Sequence, residues 1–224
     1  KIDPSLDKCY YLLGSIMLSN KKTKEAEFYT EKAIKLNPKG FYSFYNMAII
    51  SKIKGDINST IFYSEKAINI QPNNVNCLKL LGISYASKGD YKSAIDSFKK
   101  IIKLNPSMVS IYHKISKIYY KIGDKDSSLL FLDLAIKNNP KSIDTNILLG
   151  EFYLEKKNFN TASLYLKNAI SLNPNHSYAL TLLGDCYKSL GDLELALSTY
   201  KKSLKIEPKN ADLLNNISFI FKEK

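Results

Sequence analysis

The chain has 224 residues, and its content of 45% hydrophobic and 24% charged residues excludes an intrinsically disordered protein. No run of about 18 consecutive apolar residues occurs, so a membrane-spanning helix is not expected. All 33 basic residues are lysine, and together with 21 acidic residues they give a net charge of +12, so a polyanionic partner has to be considered.

The seven prolines divide the chain into equal segments. They stand 34 residues apart, at positions 4, 38, 72, 106, 140, 174 and 208. A fixed period of about 20–50 residues indicates a stack of repeated units rather than one globular core. Six full units follow in chain order, over residues 7–40, 41–74, 75–108, 109–142, 143–176 and 177–210. Residues 1–6 are predicted to end an upstream repeat and residues 211–224 to form the first helix of a further one. Residues 1–224 are therefore predicted to be a single array taken from a longer protein.

Each unit contains two stretches with apolar residues at helical spacing, which predicts a helix A and a helix B. Four units place Gly-Asp between the two stretches, where glycine can end helix A and aspartate can cap helix B. Lys21-Lys22 and Lys157-Asn158 replace this pair in the first and fifth units, so we expect these turns to be less tightly specified. The proline near the end of each unit stops helix B, because the residue before a proline avoids the helical conformation.

Small residues recur where the helices must approach closely. The eighth, twentieth and twenty-seventh residues of the six units are small in seventeen of eighteen cases, and Ile101 is the exception. The eleventh residue is tyrosine in four units. Together with proline at the thirty-second position, this pattern resembles the tetratricopeptide repeat over essentially the whole chain. The resemblance implies an all-α fold, a right-handed α-solenoid or superhelix of antiparallel helix pairs.

No catalytic motif is present, so we expect no enzyme activity and no cofactor within this chain. The two histidines fall in non-equivalent positions, which argues against a histidine metal site. Cys9, Cys77 and Cys186 are too few and too scattered for a disulfide framework. They predict small buried thiols in a reducing, cytoplasmic compartment.

The resemblance also implies where a partner would bind. In related arrays the second, fifth, sixth, ninth, twelfth and thirteenth residues of helix A line a concave groove. In this chain the predicted groove residues are Tyr11, Tyr42, Tyr45, Asn46, Ile49, Lys79, His113, Lys114, Lys117, Lys121, Asp144, Glu151 and Glu155. Tyrosines are good anchors for a peptide, although packing between neighbouring helices is an equally open interpretation. A basic band in the fourth unit beside an acidic band in the fifth favours a partner with a matching dipole, unless these are ordinary solvated charges.

Two specialised grooves of the family are disfavoured. Of the residues that clamp a C-terminal carboxylate in chaperone-binding members, only Asn46 matches. The asparagine ladder of sugar-transferring members is reduced to one asparagine in six units. Specific nucleic-acid binding is also disfavoured, because arginine is absent and the period stays at 34 residues.

The predicted function is therefore a scaffold that binds a protein or peptide in its groove within a larger assembly. Two alternatives remain open: a substrate-recruiting arm of a larger enzyme, for example a glycosyltransferase, and a structural spacer that self-associates through the ends of the array.

Overall fold

The computed structural model describes residues 6–223, which form thirteen α-helices and no strand. They alternate between helix A and helix B of successive units. In chain order they are α1 Leu6–Ser19, α2 Thr23–Leu36, α3 Phe41–Ile53, α4 Ile57–Ile70, α5 Val75–Lys88, α6 Tyr91–Leu104, α7 Val109–Lys121, α8 Lys125–Asn138, α9 Ile143–Glu155, α10 Phe159–Leu172, α11 Ser177–Ser189, α12 Leu193–Ile206 and α13 Ala211–Glu223. The predicted all-α class built from helix pairs is confirmed.

The chain forms two compact parts, divided in sequence between Ile111 and Tyr112. We call them the N-terminal half and the C-terminal half. In the N-terminal half α1 packs on α2, α3 on α4 and α5 on α6, and in the C-terminal half α9 packs on α10 and α11 on α12. That all repeats act as a single array stays a prediction. The predicted end of an upstream repeat lies outside the described residues, except for Leu6, at which α1 begins.

The turns between helix A and helix B follow the predicted chemistry. The glycines of the Gly-Asp pairs have positive φ angles of 79–90°, a conformation that glycine adopts without steric cost. The Asp56 side chain then accepts a hydrogen bond from the Ser59 amide, and equivalent aspartates cap α6, α8 and α12. Lys21 and Lys157 adopt the same left-handed conformation, with φ near 58° and 57°, so all six turns share one geometry.

Helix B ends two residues before each of the six prolines from 38 to 208. The intervening residue, such as Asn37 with φ −134° and ψ 90°, is extended. This geometry is the one expected for a residue that precedes proline. The prolines therefore act as the predicted stop signals.

The small eighth residue of each unit lets helix A lie against helix B. A Cβ atom added to Gly82 would be 2.7 Å from the Phe98 ring, and one added to Gly150 would be 2.6 Å from Leu166. Both distances are below van der Waals contact, so glycine is required for this approach.

One expectation about individual side chains is wrong, and one buried polar residue is added by the structure. Cys77 and Cys186 are buried as predicted, but Cys9, on α1, is exposed. Asn146, the polar residue at the fourth position of the fifth unit, is only 1% exposed. Its amide nitrogen donates to the Ser142 and Pro140 carbonyl oxygens, at 2.9 and 3.3 Å, which satisfies the buried group.

None of the thirteen described helices is long and apolar enough to cross a membrane.

Candidate functional site

The N-terminal half carries a connected group of aromatic rings on α1 and α3. Tyr11 stacks on Tyr42 with ring centroids 4.9 Å apart, and Phe41 stacks on Tyr45 at 5.7 Å. Phe41 also contacts Tyr42 edge-on at 5.2 Å. Phe41 is buried, whereas Tyr42 is 50% exposed. The rings thus hold one another in place while Tyr42 faces solvent.

Asn46 does not offer a free amide on this surface. It is 4% exposed, and its side-chain nitrogen donates to the Tyr11 carbonyl oxygen at 2.9 Å and to Ser15 Oγ at 3.0 Å. The amide therefore joins α3 to α1. The physical reason is that a buried polar group must be hydrogen-bonded, and the facing backbone of α1 supplies the acceptor. Ile49 and Lys79, also predicted for the groove, are half-buried on α3 and α5.

The C-terminal half contains a cavity of about 440 Å³ between α7, α8 and α9. We call it the α7–α9 cavity. Its lining combines buried apolar side chains and two buried hydroxyls with exposed charged side chains and the exposed Tyr120. The lining residues are His113, Ser116, Lys117, Tyr120, Ser128, Leu132, Leu148, Glu151, Phe152 and Glu155.

Two of the residues that line the cavity are serines where several other repeats have smaller residues. Ser116 and Ser128 occupy positions that are glycine and alanine in the third, fifth and sixth repeats. Their Oγ atoms lie 2.9 Å apart and share a hydrogen bond. In those other repeats the glycine leaves room for a large side chain of helix B, whereas Ser116 carries a Cβ and a hydroxyl there. Leu132 stands at the equivalent helix B position and lines the cavity together with the two serines.

His113 is fixed on one wall by α9. Its Nε2 lies 2.8 Å from Thr145 Oγ1, and the Thr145 hydroxyl donates in turn to Ser142 Oγ at 2.7 Å. Because the threonine proton is already used, His113 Nε2–H is the donor. Burial lowers the pKa of His113, against the opposite effect of Asp144, so the imidazole is neutral at pH 7.

Glu155 and Glu151 each belong to a hydrogen-bonded pair at the opening. Glu155 accepts from the Lys125 ammonium group and from the Tyr120 hydroxyl, the latter at 2.5 Å. These hydrogen bonds hold the pKa of Glu155 below its ordinary value. Glu151 accepts from the Tyr178 hydroxyl at 2.5 Å, which raises the tyrosine pKa to about 12. These hydrogen bonds hold both glutamates in position.

The charges at the opening are not all compensated. Lys125 neutralises Glu155. Within residues 6–223, however, Glu151 has no cationic partner and the exposed Lys117 has no acidic one. Lys117 lies on α7 and Glu151 on α9, so the opening has one positive and one negative wall.

No group of three or more potential metal-binding side chains occurs among the described residues. In the α7–α9 cavity, His113 is engaged by Thr145.

Family models establish the relationship of the chain to known proteins. The tetratricopeptide repeat is matched over residues 7–39, 41–74, 75–108, 109–142, 143–176 and 177–210. The chain belongs to the tetratricopeptide repeat family. Its repeats form a protein-interaction scaffold, the typical role of this fold.

Solved structures of other tetratricopeptide repeat proteins are similar to this one. A crystal structure of MamA is 27% identical, covers 77% of this chain and 94% of its own, and has a TM-score of 0.65. PilF of Pseudomonas aeruginosa is 14% identical, covers 98% of both chains and has a TM-score of 0.70. YrrB, described as having an unusual peptide-binding site, is 19% identical, covers 83% of this chain and 96% of its own, and has a TM-score of 0.63. No curated protein matches the chain in sequence.

The structure brings together four of the residues that the tetratricopeptide pattern placed in the groove. His113, Lys117, Glu151 and Glu155 line the α7–α9 cavity, whereas Lys114, Lys121 and Asp144 do not. Tyr120 and Tyr178 were missed, although they occupy the twelfth and second positions, which the family pattern assigns to the groove. No sequence signal pointed to Lys125, because it lies at the start of helix B.

Proposed function

We propose that the chain binds an extended segment of a partner protein on the helix A faces of its repeats and holds that segment within a larger assembly. The observation that carries the proposal is the α7–α9 cavity, which is formed chiefly by two A helices and lined by both apolar and charged side chains. An apolar pocket with a few convergent polar groups is the usual form of a binding site.

The aromatic rings of the N-terminal half supply a second contact surface for an extended segment of a partner protein. Tyr11, Tyr42 and Tyr45 present rigid rings with polar tips, which contribute strongly to protein interfaces because little conformational entropy is lost. YrrB shows that a protein of this fold can carry a peptide site. The residues of the present chain, rather than that likeness, support the assignment of its own surface.

The proposal is tested by recovery of native partners from cell extract. The Tyr45→Ala, Lys117→Glu double variant changes one residue of each helix A surface and should lose the partners that the wild type retains. A matched control is Phe62→Ala with Lys137→Glu, which makes the same kinds of change on exposed positions of helix B. Equal recovery by both folded variants, judged by circular dichroism, would contradict the proposal.

A second candidate function is self-association. The helix α13 exposes Leu214, Phe219 and Phe221, and large exposed apolar side chains can mark an interaction surface. If α13 binds a second copy, Phe219→Glu should reduce the mass measured by light scattering from that of a dimer to that of a monomer. A wild-type monomer at high concentration would exclude this candidate.

We propose that the protein binds its partners in a reducing compartment, such as the cytoplasm. Cys77 and Cys186 are free and buried, and burial raises the pKa of each thiol to about 12. Such thiols are poor nucleophiles and act as small apolar core residues.

A further inference from the structure

The α7–α9 cavity has a chemistry that selects among partner segments. Its volume, about 440 Å³, lies at the lower end of the range for ligand pockets, which is about 300–1,000 Å³. This space suits one large side chain rather than a folded element. The rings of Tyr120 and Phe152 line it, and aromatic rings pack well against other aromatic rings.

The hydroxyls that line the cavity are hydrogen-bonded to each other. Ser116 and Ser128 are 5% and 1% exposed, and their Oγ atoms lie 2.9 Å apart. One hydroxyl donates and the other accepts, so each oxygen keeps a partner when an apolar ring is placed above them. Leu132 and Leu148 complete the apolar lining.

The two walls of the opening differ in charge. Lys117 on α7 lacks an acidic partner and Glu151 on α9 lacks a cationic one among the described residues. Tyr178 holds Glu151 in position through its hydroxyl. A ligand that placed an acid near Lys117 and a base near Glu151 would complement both walls.

We propose that the α7–α9 cavity binds a dipolar peptide segment, in which an aromatic side chain fills the cavity while an acidic flanking residue contacts Lys117 and a basic one contacts Glu151. This inference rests on the proposed function, because it specifies the segment that the helix A faces bind in the C-terminal half. Lys125 already neutralises Glu155, so Glu151 is the carboxylate left to select the base.

Four labelled peptides test the proposal by fluorescence anisotropy. Each has a central residue separated by glycine from two flanking residues: glutamate–phenylalanine–lysine, glutamate–phenylalanine–glutamate, lysine–phenylalanine–lysine and glutamate–alanine–lysine. The wild type should bind the first peptide about 3- to 5-fold more tightly than the two with like charges, the range expected for one exposed ion pair. Replacement of the ring by alanine should weaken binding at least ~10-fold.

Single charge reversals should then move the preference in opposite directions. Lys117→Glu makes both walls acidic and should favour the lysine–phenylalanine–lysine peptide, whereas Glu151→Lys makes both walls basic and should favour glutamate–phenylalanine–glutamate. Lys137→Glu, on the exposed surface of α8, is the control and should leave the wild-type order unchanged.

The outcome is decided by these rankings. Equal affinities for all four peptides, or rankings that neither reversal alters in folded protein, would overturn dipolar recognition. If the Tyr45→Ala, Lys117→Glu variant nevertheless lost its native partners, the proposed function would stand and only the dipolar specificity would be rejected. Binding of free phenylalanine as tightly as of the dipolar peptide would assign the cavity to a small molecule and also contradict the proposal.

Discussion

Single side chains at the turn between helix A and helix B determine where helix B begins. Asp56 shows the arrangement: its carboxylate accepts hydrogen bonds from the Ser59 amide and hydroxyl, at 3.0 and 2.6 Å. The fifth repeat uses Asn158 instead, whose side-chain oxygen accepts from the Thr161 amide at 3.2 Å. The first repeat has Lys22 at this position and no side-chain cap. The turn geometry thus tolerates loss of the cap, but the titration behaviour of the protein depends on which residue supplies it.

The aspartate caps predict a loss of stability in acid. Hydrogen bonds from the following serine hydroxyl and amide lower the pKa values of Asp56, Asp90 and Asp124. The native state therefore binds fewer protons than the unfolded chain. The stabilisation is complete above about pH 4, the ordinary aspartate pKa, and is lost as pH falls through the native pKa values.

A triple variant isolates this contribution. Asp56→Asn, Asp90→Asn and Asp124→Asn keep a capping oxygen, as Asn158 does, but cannot titrate. Between about pH 5 and pH 2 the unfolding free energy of the variant should decrease less than that of the wild type. Urea unfolding followed by circular dichroism measures both. Parallel decreases would show that the caps do not carry the acid sensitivity.

At the scale of the helices, the close approach of A to B depends on which residues face one another. Gly82 faces the buried Phe98, and Gly184 faces the buried Tyr200. In these two repeats a glycine on helix A thus accompanies a large side chain on helix B. The sequence pattern predicted the small positions but not the size of the space left between each pair.

Gly82→Ala should destabilise the protein even though alanine favours a helix. Helix propensity alone would add about 0.5–1 kcal/mol to the free energy of unfolding. The new Cβ would lie 2.7 Å from the Phe98 ring, and overpacking of a core costs about 1–3 kcal/mol. We expect a net loss of about 1–2 kcal/mol in urea unfolding. Ser87→Ala, exposed on the same helix, serves as the control. A Gly82→Ala protein more stable than the wild type would refute this packing.

Sequence reasoning predicted the helices, turns and stop signals because each depends on a few neighbouring residues. It could not predict the α7–α9 cavity, because that space depends on how three helices pack around Ser116 and Ser128. It also could not predict that Asn46 is buried, because its amide finds acceptors on another helix, α1. Long-range packing, rather than local preference, decides both features.

At the scale of the whole molecule, the net charge of +12 comes from lysine alone. Some of these lysines make cation–π contacts within the protein. Lys32 lies over Phe28 at 4.2 Å and Lys66 over Phe62 at 4.7 Å. The absence of arginine removes the usual bidentate contact to guanine. The charge therefore favours non-specific attraction to polyanions.

Binding to duplex DNA should be weak and independent of sequence. Two unrelated duplexes should bind with equal affinity, and the affinity should fall at least ~10-fold between about 50 and 200 mM salt, because counterion release drives it. Anisotropy titrations with labelled duplexes measure both quantities. Retention of one duplex over the other at the higher salt concentration would contradict this expectation.

The central claim is that partners bind the helix A faces rather than the outer faces of the B helices. Photocrosslinking from two positions tests it directly, because Tyr42 on α3 and Phe62 on α4 are both 50% exposed. With benzoylphenylalanine placed at one position or the other, native extract should give partner adducts from position 42 and few or none from position 62. Equal adducts from both positions, or adducts from position 62 alone, would contradict the claim.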